Sequence, residues 1–102
     1  MPKYMNDSIR RLFQAILLLE NEKECEDFFD DLCTINELQN MAQRLDAAVL
    51  IAQGISYQEI SKKTGASSTT ISRVSRCYNY GETGYKNMIR KMKEAGFIDE
   101  DQ

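Results

Sequence analysis

Apolar residues recur along this chain at the spacing of one face of an α-helix, and that pattern predicts an all-α fold. Ile9, Leu12, Phe13, Ile16 and Leu17 follow the i, i+3, i+4, i+7, i+8 series of a first helix beginning near Asp7 or Ser8, and Leu18 and Leu19 broaden its stripe. Asn21, with Glu24 three residues on, reads as the next cap. It opens a short helix through Leu32 with Cys25, Phe28, Phe29 and Leu32 inward. Thr34 and Glu37 form a capping box for the longest helix, which is expected to reach Gln53 before Gly54 ends it. Its stripe is Ile35, Leu38, Met41, Ala42, Leu45, Ala48, Val49 and Ala52. Ala47, Leu50 and Ile51 fall outside that stripe, so the C-terminal half is apolar nearly all round. A helix of that kind is buried on more than one side. Short helices in a single chain supply little to cover it, so the pattern predicts a homodimer with the N-terminal helices in its interface. The alternative is a compact monomer whose small helices wrap the long one.

The stretch SYQEISKKTGASSTTISRVSR, Ser56 to Arg76, predicts two short helices joined by a tight turn. Ser56 and Glu59 make a capping box, and the first helix is expected over Tyr57 to Lys63. Thr64-Gly65-Ala66 is the turn, with Gly65 free to take a positive φ. Ser67 or Ser68 caps a second helix running to about Cys77. Small or apolar residues at Ile60, Ser61, Ala66, Ile71 and Val74 allow close crossing, with Ser61 small enough for the approach; this is the sequence form of a helix-turn-helix. With Ile71 and Val74 inward, Ser68, Thr69, Ser72, Arg73 and Arg76 point outward, and a helix with such a face can enter the DNA major groove. The plainer alternative is an αα-hairpin inside a bundle. Tyr78-Asn79-Tyr80-Gly81 reads as a turn. A last helix is expected from about Thr83 to Ala95, with Tyr85, Met88, Ile89 and Met92 on one face and Lys86, Arg90, Lys91 and Lys93 on the rest. Gly96 ends it, and Asp99 to Gln102 are expected to fray. The chain then reads as one domain over 1–102, with dimerisation helices in 1–54, the helix-turn-helix in 55–78 and the C-terminal helix in 83–95.

The formal net charge of −3 over 102 residues has the wrong sign for a nucleic-acid binder until the chain is divided. Residues 1–54 carry 5 Lys/Arg against 10 Asp/Glu, a net of −5, whereas residues 55–93 carry 8 against 2, a net of +6. Phosphates respond to charge within a Debye length, roughly 8–10 Å, so the asymmetry outweighs the total. The acidic face of the second helix, Glu22, Glu24, Glu26, Asp27, Asp30 and Asp31, has no glycine-bearing loop to arrange its carboxylates around a cation, and reads as solvated. Cys25, Cys33 and Cys77 form no CxxC, and the chain has no histidine; metal binding is not expected, and buried reduced thiols in a cytoplasmic protein are. Lys3, Tyr4, Asn6 and Asp7 interrupt any apolar start, so no signal peptide is expected. The longest apolar run, Ala47 to Ala52, is far too short to span a membrane.

Three pieces, FFDDLCTINELQNMAQRL, ISYQEISKKTGAS and TTISRVSRCYNYG, resemble the Trp repressor superfamily from about Phe29 to Asn79, and the chain as a whole is similar to its YerC/YecD branch. The resemblance implies a six-helix, intertwined homodimer whose central helix-turn-helix reads DNA. It implies a sequence-specific transcriptional regulator, a repressor, on a palindromic operator whose major grooves lie about one helical turn apart. Carried over residue by residue, the base-facing positions are Ser68, Thr69 and Ser72. Those nearest phosphate are Tyr57, Gln58, Ser61, Ser67 and Thr70, with Arg76 adding a phosphate or base contact. None of the base-facing three offers the bidentate donors that read guanine or adenine, so readout leans on hydroxyl, methyl and water-mediated contacts and on DNA shape.

In the family, tryptophan lies between the long central helix and the reading helix. The corresponding effector pocket here is Thr34, Arg44, Arg73, Val74 and Cys77. Both arginines are kept, but Val74 stands where the family has glycine and Cys77 where it has serine. A valine intrudes on space the indole needs, so tryptophan is not expected as the effector. Either another small molecule binds, or protein fills the pocket and no cofactor is needed. An enzyme is not expected, because no histidine, phosphate-cradling glycine loop, or nucleophile beside a base is present. The competing function is a helical dimeric module or adaptor that binds another regulator through its apolar or acidic surface.

Overall fold

The computed structural model describes residues 4–98, which form six α-helices and no strand. They are α1 (Asp7–Ile16), α2 (Glu22–Leu32), α3 (Ile35–Ala52), α4 (Tyr57–Thr64), α5 (Ser68–Tyr80) and α6 (Gly84–Glu94). The expectation for Asp99 to Gln102 lies outside the described residues. The chain divides into two compact units at Leu38 and Gln39.

In the first unit every helix begins at a side-chain cap. Asn6 Oδ1 accepts from Ile9 N at 2.8 Å, and Asn21 Oδ1 accepts from Glu24 N at 2.9 Å. The Thr34–Glu37 box is complete: Thr34 N donates to Glu37 Oε1 at 2.8 Å and Glu37 N donates to Thr34 Oγ1 at 3.1 Å. Each cap satisfies a backbone donor that the first helical turn leaves without an intrahelical partner. The end of α1 departs from the expectation. The helix stops at Ile16, and Leu18 and Leu19 do not extend its stripe. Their amides instead bond Ala15 O and Ile16 O in tight turns at 3.0 and 3.1 Å. Neither α1 nor α2 buries a residue: Phe13 and Leu32 are exposed, and Leu17 and Leu18, past the end of α1, are 82% and 77% exposed. Phe28 and Phe29 meet edge to face at 5.6 Å between ring centres.

The second unit holds the core. Ala47 and Ala48 of α3, Ile60 of α4, Ala66 of the turn, Ile71 and Val74 of α5, and Ile89 of α6 pack as one buried cluster, with Val49, Leu50, Ile55 and Tyr85 partly buried against it. The adjacent pair Ala47 and Ala48 is wholly buried, as expected of a helix covered on more than one side. Alanines here let neighbouring helices approach closely. Gly54, at φ 78°, ends α3, and Ile55 N reaches back to Leu50 O at 3.1 Å in the 6→1 bond of a Schellman cap. The described cysteines are free thiols, and the expectation that they are buried is corrected: Cys25 and Cys33 are half-buried and Cys77 is exposed.

One further boundary differs, and one further face. The residues read as a turn, 78–80, are the last turn of α5. Asn79 Nδ2 bonds Ser75 O at 3.0 Å and Ser75 Oγ at 3.2 Å, holding the helix together until Gly81 ends it. On α6, Ile89 is buried and Tyr85 and Met92 are half-buried, but Met88 is exposed. Its basic residues are partly engaged: Lys86 Nζ lies 5.4 Å from the centre of the Tyr78 ring, and Arg90 pairs with Glu94 at 3.6 Å.

Candidate nucleic-acid interface

Helices α4 and α5 are set by local hydrogen bonds that the sequence can be read to demand. Ser56 Oγ accepts from Glu59 N at 3.3 Å and starts α4; the reciprocal bond from Ser56 N to the Glu59 carboxylate is not formed. At the other end Gly65 adopts φ 75°, and its N–H returns to Ser61 O at 2.8 Å. A side chain at this φ is strained by roughly 1–2 kcal/mol, so glycine is the residue the turn calls for. Ser61 Oγ donates to Ala66 O at 2.9 Å, Thr64 Oγ1 donates to Ile60 O at 2.7 Å, and Ala66 N donates to Thr64 Oγ1 at 3.1 Å. From α3, Gln43 Nε2 reaches Thr64 O at 3.1 Å. The turn between the helices therefore has its backbone groups occupied, a rigid joint rather than a loose loop. Ser67 then caps α5, its Oγ accepting from Thr70 N at 3.1 Å and donating to Thr70 Oγ1 at 3.1 Å.

Burial divides α5 into two faces. Ile71 and Val74 are 1% exposed and Ser75 is buried beside them. Ser68, Thr69, Ser72, Arg73 and Arg76 are all exposed and together line one open concavity of about 460 Å³. Among the described residues neither Arg73 nor Arg76 pairs with a carboxylate; the ion pairs are Lys23–Asp27 and Arg90–Glu94. Two free guanidiniums among three small hydroxyls make a surface fitted to anionic, hydrogen-bonding partners.

The remaining sequence candidates fall into separate settings. Gln58 is exposed at the start of α4. Ser61, Ser67 and Thr70 hold the turn and the α5 cap as described, Ser61 and Ser67 at the surface and Thr70 half-buried. Tyr57 is half-exposed, but its hydroxyl points inward to Ser75 Oγ. Of the effector-pocket residues, the four in the second unit do not line one cavity. Arg44 and Arg73 line a small polar cleft of about 180 Å³ with Asn40, Gln43 and Thr70. Val74 is in the core, and Cys77 lines a different hollow with Gly81, Glu82, Gly84 and Tyr85. Thr34 caps α3 in the other unit. Asn40, one turn before Arg44, and Gln43, immediately before it, were not singled out by sequence reasoning, and only the fold reveals that they share its cleft. Among the described residues no group of three or more His, Cys, Asp or Glu side chains is placed to hold a metal ion, and no helix is long and apolar enough to cross a membrane.

Comparison with known proteins gives this arrangement a lineage. Residues 7–93 match the family described as Trp repressor protein. The uncharacterized protein YerC of Bacillus subtilis (strain 168) is 48% identical over 93 residues, which cover 91% of this chain and 89% of that protein. Among solved structures, a candidate Trp repressor from Staphylococcus aureus superposes with a TM-score of 0.86 at 46% identity, covering 89% of this chain and 91% of the other. A TrpR-like protein from Eubacterium eligens ATCC 27750 superposes with a TM-score of 0.85 at 42% identity, covering 96% and 98%. With a family match over residues 7–93 and relatives this similar in sequence and in fold, the chain belongs to the Trp repressor family, in the branch that includes YerC.

Proposed function

We propose that this protein is a DNA-binding transcriptional regulator, a repressor, that acts as an intertwined homodimer on a palindromic operator. The observation that carries this reading is the division of α5. Its apolar side is fixed in the core by Ile71 and Val74, and its other side presents Ser68, Thr69, Ser72, Arg73 and Arg76 to solvent. With α5 in a major groove, Ser68 and Thr69 at its N-terminal end lie nearest the bases and the two arginines supply the charge that phosphates require. The dimer is supported by the N-terminal helices, which carry large apolar side chains and bury none of them within one chain. Leaving so many apolar side chains in water forgoes roughly 1.5–3 kcal/mol for each one a partner would cover.

Tryptophan is not the effector in this reading. Val74 is buried in the core, Arg44 and Arg73 line one cleft and Cys77 lines another hollow, so these four residues do not enclose a common space for an indole. The protein's own hydrogen bonds instead set the posture of α5. The test is a gel shift with nonspecific duplex at low salt. Binding that disappears in the Arg73→Ala/Arg76→Ala variant supports the reading. No binding by the wild type, or binding that the double variant retains, removes it.

A further inference from the structure

Helix α5 does not end where the basic residues end. It continues through Tyr80, and the last turn brings an aromatic residue onto the face that carries the arginines. Tyr80 lies four residues beyond Arg76 and seven beyond Arg73, the spacing of one helical stripe. Its side chain is 87% exposed and enters no hydrogen bond or ring contact among the described residues, in contrast to Tyr57, Tyr78 and Tyr85, each of which is drawn against the protein. A solitary exposed tyrosine is unremarkable by itself. Its position on this helix is what matters.

The helix stops abruptly after Tyr80. Gly81 N returns to Cys77 O at 3.1 Å, and a Cβ on Gly81 would stand 2.8 Å from that same carbonyl oxygen. Glycine there lets the chain leave the helix at once, so no further turn covers the tyrosine. From Ser68 to Tyr80 the helix axis rises about 18 Å. The major groove is about 12 Å wide. If Ser68 is nearest the bases, the end of α5 has passed the groove floor and stands beside the phosphates that border it.

We propose that Tyr80 is a DNA-backbone contact, its phenolic hydroxyl donating a hydrogen bond to a phosphate oxygen at the edge of the groove that α5 enters; this rests on the reading of α5 given above. Tyrosine hydroxyls are ordinary phosphate donors in protein–DNA interfaces. The phenol is neutral, so it displaces no counterion. Its contribution is independent of salt, whereas that of Arg76 is not.

That difference supplies the test. The affinity of wild type, Tyr80→Phe and Arg76→Ala for one random-sequence duplex is measured over a salt series, with sedimentation of each protein alongside. Tyr80→Phe should bind roughly tenfold more weakly at every salt concentration with the slope of log K against log salt unchanged. Arg76→Ala should reduce that slope by about 1. Tyr80→Phe binding as tightly as wild type, while wild type binds well, overturns the tyrosine contact and leaves the reading of α5 intact. A change in sedimentation with no change in DNA affinity also overturns it, because the exposed ring then belongs to an interface between copies of the chain. Wild type that binds no duplex removes the reading of α5, and this contact with it.

Discussion

The hydroxyl of Tyr57, the first residue of α4, donates to Oγ of Ser75 in the middle of α5 at 2.5 Å, across 18 residues of chain. Ser75 is buried, and its oxygen also accepts from Asn79 Nδ2 at 3.2 Å. One side chain therefore ties the start of the first helix of the motif to the body of the second, next to the Ile60, Ile71 and Val74 contacts. This bond sets orientation as well as adding energy, because another crossing of the helices would lose the Tyr57 donor while Asn79 stayed bonded. In the function proposed above, the relative orientation of these two helices sets where Ser68 to Arg76 would meet a duplex.

Tyr57→Phe and Ser75→Ala are each expected to cost about 1 kcal/mol of unfolding free energy. The double variant should cost less than the sum of the two, with a coupling of roughly 0.5–1 kcal/mol. Urea denaturation of the four proteins checks this. Strict additivity would mean the bond contributes nothing to the folded state. Both single variants should also weaken duplex binding without changing its salt slope, since no charge is removed.

The features legible in the sequence were those whose partners lie within a few residues. The caps at Asn21, Thr34, Ser56 and Ser67 and the left-handed Gly65 were all readable because the donor, acceptor and break are local. The end of α1 was not, because Ile16 to Leu19 contains no glycine, proline or cap to announce it. The end of α5 was misread for the opposite reason. Asn79-Tyr80-Gly81 has turn composition, yet the Asn79 amide bonds back to Ser75 and keeps its residue helical. Tyr57 was expected near phosphate from the family resemblance alone. The partner its hydroxyl has within the chain, Ser75, is far away in sequence, and only packing brings the two hydroxyls together. The same holds for the cleft that Asn40 and Gln43 share with Arg44 and Arg73.

Leu17 and Leu18 offer a direct test of the dimer. Both are largely exposed in the single chain, so lysine at either position costs little if the protein is a monomer. In a dimer that buries them, Leu17→Lys/Leu18→Lys places two charges in an apolar interface, where unpaired burial is strongly unfavourable. The expected outcome is a wild type that sediments as a dimer at micromolar concentration and a double variant that sediments as a monomer with weakened duplex binding. Wild type sedimenting as a monomer would exclude the dimer.

Val74 and the tryptophan question can be separated by stability measurements. Val74→Ala removes a wholly buried side chain and is expected to cost roughly 2–3 kcal/mol. Added tryptophan should leave the melting temperature of the wild type where it was, because a ligand raises stability only as far as it binds the native state. A tryptophan-dependent rise in melting temperature would show that the indole is accommodated despite Val74.

The Thr34–Glu37 box predicts a pH dependence of known sign. The Glu37 carboxyl is held below its ordinary value, first by the Thr34 backbone N–H that donates to it and then by the Thr34 side chain. A carboxylate with a lowered folded-state pKa binds protons less readily in the native than in the unfolded chain. Its stabilisation is therefore present above the ordinary glutamate pKa and is lost as pH falls through the lower, folded-state value. Glutamine at 37 still reaches the Thr34 amide but does not titrate. Melting temperatures of wild type and Glu37→Gln across an acid titration should differ most near neutrality, with wild type the more stable, and converge once the glutamate is protonated. Because Glu37 is exposed, added salt should shrink the gap. Parallel profiles at all pH values would mean that the charge on Glu37 plays no part in starting α3.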